Sequence, residues 1–255
     1  MKIGYQLFSA ISLCQGAKGL KDTIRSIAAM GYDGVEFCSY EGIPANEMKD
    51  FLAEQGITAI NSHVQMERFL ADMEGEVRYA AEAGIPYITL PWVAPDLRNE
   101  EGYQKIDEMI SKIIDCCKKY NIKLLYHNHE FEFEKSGDTY ILDTILDTQE
   151  TLGLELDTFW AYYKGINPAA YMKEKRENLV MIHIKDYESF TGGGIAGNQE
   201  MPTFSAIGTG NMDNDSVIRE AVELGLIWVV VEQDNSKIDV LESAAISIKS
   251  LKKYQ

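Results

Sequence analysis

Histidine and cysteine are both scarce in this 255-residue chain, with four of each. The cysteines, Cys14, Cys38, Cys116 and Cys117, show no C-x-x-C spacing, and Cys116 and Cys117 are neighbours on an expected helix that face different ways. That pattern argues against a disulfide framework and fits a reducing cytoplasm. No apolar run is long enough to cross a bilayer, which argues against a membrane partner. The opening "MKIGYQLF" reads as a strand, without the long apolar core or small-residue cleavage site of a signal peptide. Basic residues are also few: 24 Lys and Arg stand against 40 Asp and Glu, a formal net charge of −16. Nucleic acid, which needs a basic footprint, is therefore not an expected partner. A small anionic substrate is not excluded, because a local site can oppose the global field.

What is present is ordinary for a soluble globular protein. Short apolar runs rich in β-branched and aromatic residues recur at 2–8, 34–39, 57–63, 87–92, 122–129, 152–158, 179–186 and 227–234. Helical patterns separate them, the first running through "GLKDTIRSIAAM" to a stop at Gly31. Eight strands, each followed by at least one helix and with no linker between, predict a parallel sheet with right-handed crossovers. The count and the length together predict an α/β fold, a closed (β/α)8 TIM barrel in a single domain, residues 1–255. A doubly wound open sheet is the competing architecture. The connection 187–213 is long and glycine-rich, and it is expected to be a lid in which Phe190 and Phe204 cover a substrate.

In such a barrel the chemistry sits where the strands end. All four histidines fall there: His63 closes the third run, His127 and His129 in "LLYHNHEF" close the fifth, and His183 lies late in the seventh. Glu36, Asp157 and Glu232 sit inside or at the end of otherwise apolar strands, where an unpaired carboxylate is costly to bury. Strand alternation places His127 with His129, Glu155 with Asp157, and His183 with Lys185 on common faces. A histidine from strand five with Asp157, His183 and Glu232 makes a mixed nitrogen and oxygen donor set. Such a set suits Zn2+, Mn2+, Co2+ or Fe2+ better than Ca2+ or Mg2+. Gln6, Glu36 and His63 could bind hydroxyls, and Phe8, Trp92 and Trp160 could pack against an apolar face. Gly208 and Gly210 read as turn formers, not as a phosphate loop, because no strand–helix fingerprint surrounds them.

The ordered segments "GYDGVEF", "YHNHEFEF", "LELDT", "MIHIKD", "SAIGTGNMD" and "WVVVEQD" resemble the xylose isomerase-like barrel superfamily, in its sugar phosphate isomerase/epimerase branch and toward the inosose dehydratase-like side. The resemblance spans essentially the whole chain. It implies a divalent metal held by Asp157, His183 and Glu232, with His127 where the family has a glutamate, and His129 as the alternative at strand five. Trp160 stands where a histidine often follows the strand-six aspartate. The implied chemistry is proton abstraction beside the carbonyl of a keto-sugar or cyclic polyol through a metal-stabilised enediolate, giving isomerisation or epimerisation. Glu232, His127, His129 and Lys185 are the candidate catalytic groups. The same intermediate also leads to dehydration, as in an inosose dehydratase, or to keto-glycoside elimination, and losing the strand-five glutamate tilts slightly that way. A non-catalytic sugar-binding barrel and an abasic-site endonuclease are the more distant alternatives. The expected partner is a small carbohydrate; barrels of this kind often pair, which leaves a homodimer open.

Overall fold

The computed structural model describes residues 1–190 and 201–255. Eight parallel strands close on themselves: β1 (Lys2–Gln6), β2 (Gly34–Phe37), β3 (Thr58–His63), β4 (Tyr87–Leu90), β5 (Lys123–His127), β6 (Gly153–Asp157), β7 (Leu179–Ile184) and β8 (Trp228–Val231). Each strand pairs with its neighbours in sequence, and β1 pairs with β8, so the sheet has no edge and the open architecture is excluded. The helices α1 (Gly16–Met30), α2 (Ala45–Gln55), α3 (Met66–Ala83), α4 (Glu100–Tyr120), α5 (Ile141–Asp147), α6 (Thr158–Tyr163), α7 (Pro168–Glu174), α8 (Asn214–Glu223) and α9 (Val240–Leu251) lie between and after the strands. They form because apolar residues recur at helical spacing: α1 buries Leu20, Ile24 and Ile27, and α4 buries Ile106, Ile110, Ile113 and Cys117. Gly31 stops α1 as expected, adopting a left-handed φ of 97°. Among the described residues no helix is long and apolar enough to cross a membrane.

The lumen of the barrel is filled in layers. At the N-terminal end Ile60, Leu125, Met181 and Val230 form an apolar plug with Trp228. Glycines leave it room: a Cβ on Gly34 would stand 2.6 Å from the Ile60 side chain and 2.8 Å from the Thr58 carbonyl oxygen. Above the plug the inward residues turn polar. Strict alternation would send Asn61 outward if Ile60 points in, but the β2–β3 register shifts between Val35 and Glu36, so Val35 pairs with Ala59 and Glu36 with Asn61. That bulge lets both Ile60 and Asn61 face the lumen. A second shift sits between β6 and β7, where Leu154 pairs with Leu179 and Glu155 with Met181. It brings Asp157 level with His183.

The expected lid is only partly described, since its centre, 191–200, lies outside the described residues. Its flanks, Asp186–Ser189 and Thr203–Ser205, pair as an antiparallel ladder. Phe204 is turned into the protein. Only 1% exposed, it packs edge-on against Phe159 with ring centres 4.9 Å apart, and it backs Trp160. Phe190 joins the same aromatic cluster against Tyr187. The reason is apolar area: a phenyl ring with a dry aromatic neighbour is buried there instead of being held over solvent.

The plug generates a stability test. Gly34→Ala should lower the unfolding free energy by about 1–3 kcal/mol, because backbone as well as Ile60 must move to admit the methyl. Urea denaturation followed by circular dichroism reads this, and an unchanged midpoint would contradict the close packing.

Candidate metal centre

Asp157 ends β6 and begins α6. Its Oδ1 caps that helix, accepting the N–H groups of Phe159 at 2.9 Å and Trp160 at 3.1 Å. Its Oδ2 makes no hydrogen bond, though it is buried, and faces the Lys185 ammonium at 3.1 Å and His127 Nε2 at 3.6 Å. The short "HNH" stretch supplies the other side of this point. Asn128, between the two histidines, accepts the Asp157 N–H at 2.9 Å and donates to the Asp157 carbonyl at 3.2 Å, which ties the end of β5 to the end of β6. His127 then projects inward. Its Nδ1 lies 3.2 Å from the Pro91 carbonyl, which needs a donor there, so the lone pair falls on Nε2. That Nε2 is buried without a hydrogen-bond partner.

His183 on β7 puts Nδ1 2.9 Å from Glu232 Oε2, and Glu232 follows β8 directly. His127, Asp157, His183 and Glu232 each offer one ligand atom, and these atoms lie within 4.8 Å of one another. An imidazole nitrogen without a hydrogen-bond partner and a carboxylate oxygen that makes no hydrogen bond, converging within an N2O2 set, fit a divalent cation of the zinc, manganese, cobalt or iron type. His129 is not among the four. Displaced past the strand end and half-buried, it stacks between Phe131 and Trp160.

Beneath this point lies a second polar layer. His183 Nε2 is 2.8 Å from Glu36 Oε1 and 3.1 Å from Glu155 Oε1, and His63 Nε2 is 2.9 and 2.8 Å from the same two carboxylates. Asn61 donates to Thr89, Glu36 and Glu155, and Gln6 donates to Glu36. Burial alone would push the His63 imidazole down, but the facing Glu36 and Glu155 carboxylates raise it to about 10. His183 is carried well above the ordinary range against the same burial penalty, by Glu36, Glu155 and Glu232. Burial opposes the charge on Glu155, yet His183 and His63 hold it well below the usual carboxylate range. These residues form an ion-paired network, and Glu36, His63, Glu155 and His183 are themselves close enough to hold a cation.

A cavity of about 340 Å3 opens above the first cluster, at the C-terminal face of the barrel. Its walls include His63, His127, His129, Lys185 and Glu232, with Trp92 and Trp160 as aromatic surfaces. Lys185 is 1% exposed and meets three carboxylates: Asp234 at 2.8 and 3.0 Å, and Asp157 and Glu232 at 3.1 Å each. Burial would lower its ammonium, but Asp157, Asp234 and Glu232 hold it well above the ordinary lysine range. Glu232 is kept well below its usual range by Lys185 and His183 despite burial. Burial lifts Asp234 to about 6, with Lys185 pulling the other way. His129 is pushed well below the ordinary histidine range by burial, with the Lys185 ammonium acting in the same direction, so its ring is neutral.

Gln6 and Glu36, expected against a substrate, are fully buried in the layer below and do not line the cavity. The extended reach of a glutamate from β2 carries it inward under His183, where two imidazoles compete for it. Glu155, Asn61, Asn128, Asp234 and Glu132 carry functions that the sequence reading did not assign. Glu155 and Asp234 share faces with Asp157 and Glu232, and that two-residue spacing was the available signal. Asn61 depends on the bulge and leaves no such trace.

Two tests follow. Glu36 accepts from the far nitrogen of His183, the arrangement that orients a ligating histidine, so Glu36→Gln should weaken zinc binding about 10–100-fold. Competition with a chromophoric chelator measures this, and unaltered affinity would remove Glu36 from that role. Glu132 accepts the His129 N–H and the Tyr126 hydroxyl, both at 2.8 Å, and burial raises it to about 8. The folded chain therefore keeps a proton that the unfolded chain, with a carboxyl near 4.5, releases. The stability this confers is full below that value and is lost as pH rises through about 8. Glu132→Gln should gain on the parent as pH climbs from about 5 to about 9 in chemical denaturation. A constant difference across that window would contradict a protonated Glu132.

Residues 24–254 match the family described as Xylose isomerase-like TIM barrel. No curated protein matches the chain. A sugar phosphate isomerase/epimerase from Parabacteroides distasonis is similar in structure, with 21% identity and a TM-score of 0.77 over 98% of this chain and 93% of that one. The IolI protein with a binding zinc atom is similar at 16% identity and a TM-score of 0.74, covering 98% and 96%. The probable 3-DHS dehydratase AsbF from Bacillus anthracis is similar at 14% and 0.73, covering 98% of each. At these identities the likenesses speak to the fold, and the family match carries the assignment: the chain belongs to the xylose isomerase-like TIM barrel family.

Proposed function

We propose that the chain is a divalent-cation-dependent enzyme of the isomerase or epimerase type, taking a proton from carbon beside the carbonyl of a keto-sugar or cyclic polyol. One observation carries this reading: His127 Nε2, without a hydrogen-bond partner, and Asp157 Oδ2, which faces the Lys185 ammonium without a hydrogen bond, converge with His183 and Glu232 on the floor of an aromatic-walled cavity. His127, Asp157, His183 and Glu232 would hold a Zn2+, Mn2+, Co2+ or Fe2+ ion, which would supply Lewis-acid polarisation of a substrate oxygen. His129 and Glu232 are the proton acceptors that line the cavity. Both are weakened as bases, His129 by burial and Glu232 by Lys185 and His183, and His129, standing outside the four-donor cluster, is the one assigned the proton. The Lys185 ammonium offsets negative charge developing on the substrate. Trp92 and Trp160 hold the ring and exclude water.

Elimination is the second reading, and Asp234 favours it. A cavity-lining carboxyl raised to about 6 beside an ammonium can hand a proton to a departing oxygen near neutral pH. The product distinguishes the two: a rearranged sugar of unchanged mass, or an unsaturated one that has lost water or an alcohol.

Deuterium exchange tests the reading. Protein of measured metal content is incubated in heavy water with keto-sugars and inososes, and the carbon-bound proton is followed by NMR. Exchange is expected with the loaded protein, and chelation should abolish it. His129→Ala should slow it about 10²–10⁴-fold with metal content retained. A loaded protein that exchanges nothing across the panel would overturn the enzymatic reading and leave a sugar-binding barrel.

A further inference from the structure

We infer that the cavity takes an unphosphorylated, uncharged sugar or polyol ring, because the positions at which a barrel of this kind would seat a phosphate are filled by the chain's own carboxylates. The inference rests on the functional reading above and narrows its substrate class. Barrels commonly seat phosphate on backbone N–H groups of the loops after the seventh and eighth strands and on a nearby helix N-terminus. Here the loop after β7 does converge its N–H groups on one point. Asp186 occupies that point: its Oδ2 accepts from Gly208 at 2.9 Å and Gly210 at 3.0 Å, and its Oδ1 from Tyr187 at 2.9 Å and Met212 at 3.0 Å. Among the described residues of that loop, four N–H groups aimed at the buried Asp186 carboxyl leave no seat for an external anion at this point.

The helix ends are closed in the same way. Asp213 caps α8 through Ser216, with Asp215 in its first turn. Asp239 caps α9 through Leu241 and Glu242, and Glu242 adds charge there. Nor is there a cation to spare. Among the described residues lining the cavity Lys185 and His63 are the cationic side chains, and both are already taken, Lys185 by three carboxylates and His63 by Glu36 and Glu155. Arg98 lies behind Trp92, 3.5 Å over the Phe131 ring, and its Nε donates to the Val93 carbonyl. The segment 187–213 contains no lysine or arginine at all, so none of its residues can bring one. With the floor cation committed to the reacting oxygens, a phosphate dianion elsewhere in the cavity would meet Asp234 and no free cationic side chain among the described lining residues. An uncharged ring can instead lay its C–H face on Trp92 or Trp160 and turn its hydroxyls to the polar floor.

Matched pairs test this on the metal-loaded protein. Keto-hexoses and inososes are compared with their phosphate monoesters, binding being read by tryptophan fluorescence and saturation-transfer NMR, with deuterium exchange recorded in parallel. Each phosphorylated member should bind about 100-fold or more weakly than its parent, the scale of unpartnered like-charge contact, and inorganic phosphate should not compete. Equal or tighter binding of the phosphorylated members overturns the inference, as does failure of every unphosphorylated member to bind. Binding of uncharged rings without exchange leaves the inference standing and removes the enzymatic reading; exchange confined to the phosphate esters does the reverse.

Discussion

The structure depends on charge neutralisation inside a dry barrel. Glu36, Glu155, Asp157 and Glu232 are all buried, and no carboxylate tolerates that without a cation or several donors. The cations are few and placed accordingly: His63 and His183 serve the lower pair, Lys185 the upper pair. His183 couples the two layers because both of its nitrogens are used, Nε2 downward toward Glu36 and Glu155 and Nδ1 upward toward Glu232. A change of charge at the floor of the cavity is therefore felt below it through one ring. This explains why so many strongly shifted groups lie together, and why the shifts oppose one another: anions are held low and imidazoles high by the same contacts.

Much of this was legible in the chain before any coordinates. Eight apolar runs spaced by helical patterns determine the barrel, since each strand needs its own covering helix and the eighth must close on the first. The polar residues at the ends of those runs then meet without further specification. His127, Asp157, His183 and Glu232 could be drawn to one mouth because strand alternation and strand ends are readable from pattern alone. Asn61 could not be. It faces the lumen through an extra residue in β3, and a bulge has no signature in a run of apolar and small residues. The short α6 has no periodic signature either: the capping oxygen of Asp157 nucleates it and Phe159 and Trp160 packing holds it.

The three consecutive residues His127, Asn128 and His129 do three separate jobs. His127 points inward as a lone-pair donor, Asn128 locks the neighbouring strand end, and His129 leaves the strand to stand in the cavity wall. Two histidines on one face at a strand end look equivalent in sequence. What separates them is the end of the sheet itself: β5 stops at His127, so the ladder positions the first ring while Glu132 and the Trp160 and Phe131 rings position the second.

Lys185 presents the remaining problem, because an ammonium already stands where Asp157 and Glu232 would meet a divalent ion. Its contacts are unequal. Both hydrogen bonds go to Asp234, whereas Asp157 and Glu232 are ion-pair neighbours at 3.1 Å. Asp234 is thus the anchor, and the other two carboxylates can turn their charge to a cation without leaving the lysine unpaired. A buried lysine with no such anchor would have to lose its proton or vacate the site. Asp157 adds a second safeguard, since its other oxygen is committed to the N-terminus of α6 and stays fixed whichever cation faces Oδ2. The floor of the cavity can in this way accept one more cation beside the ammonium, with the lysine kept in reach of whatever the cavity binds.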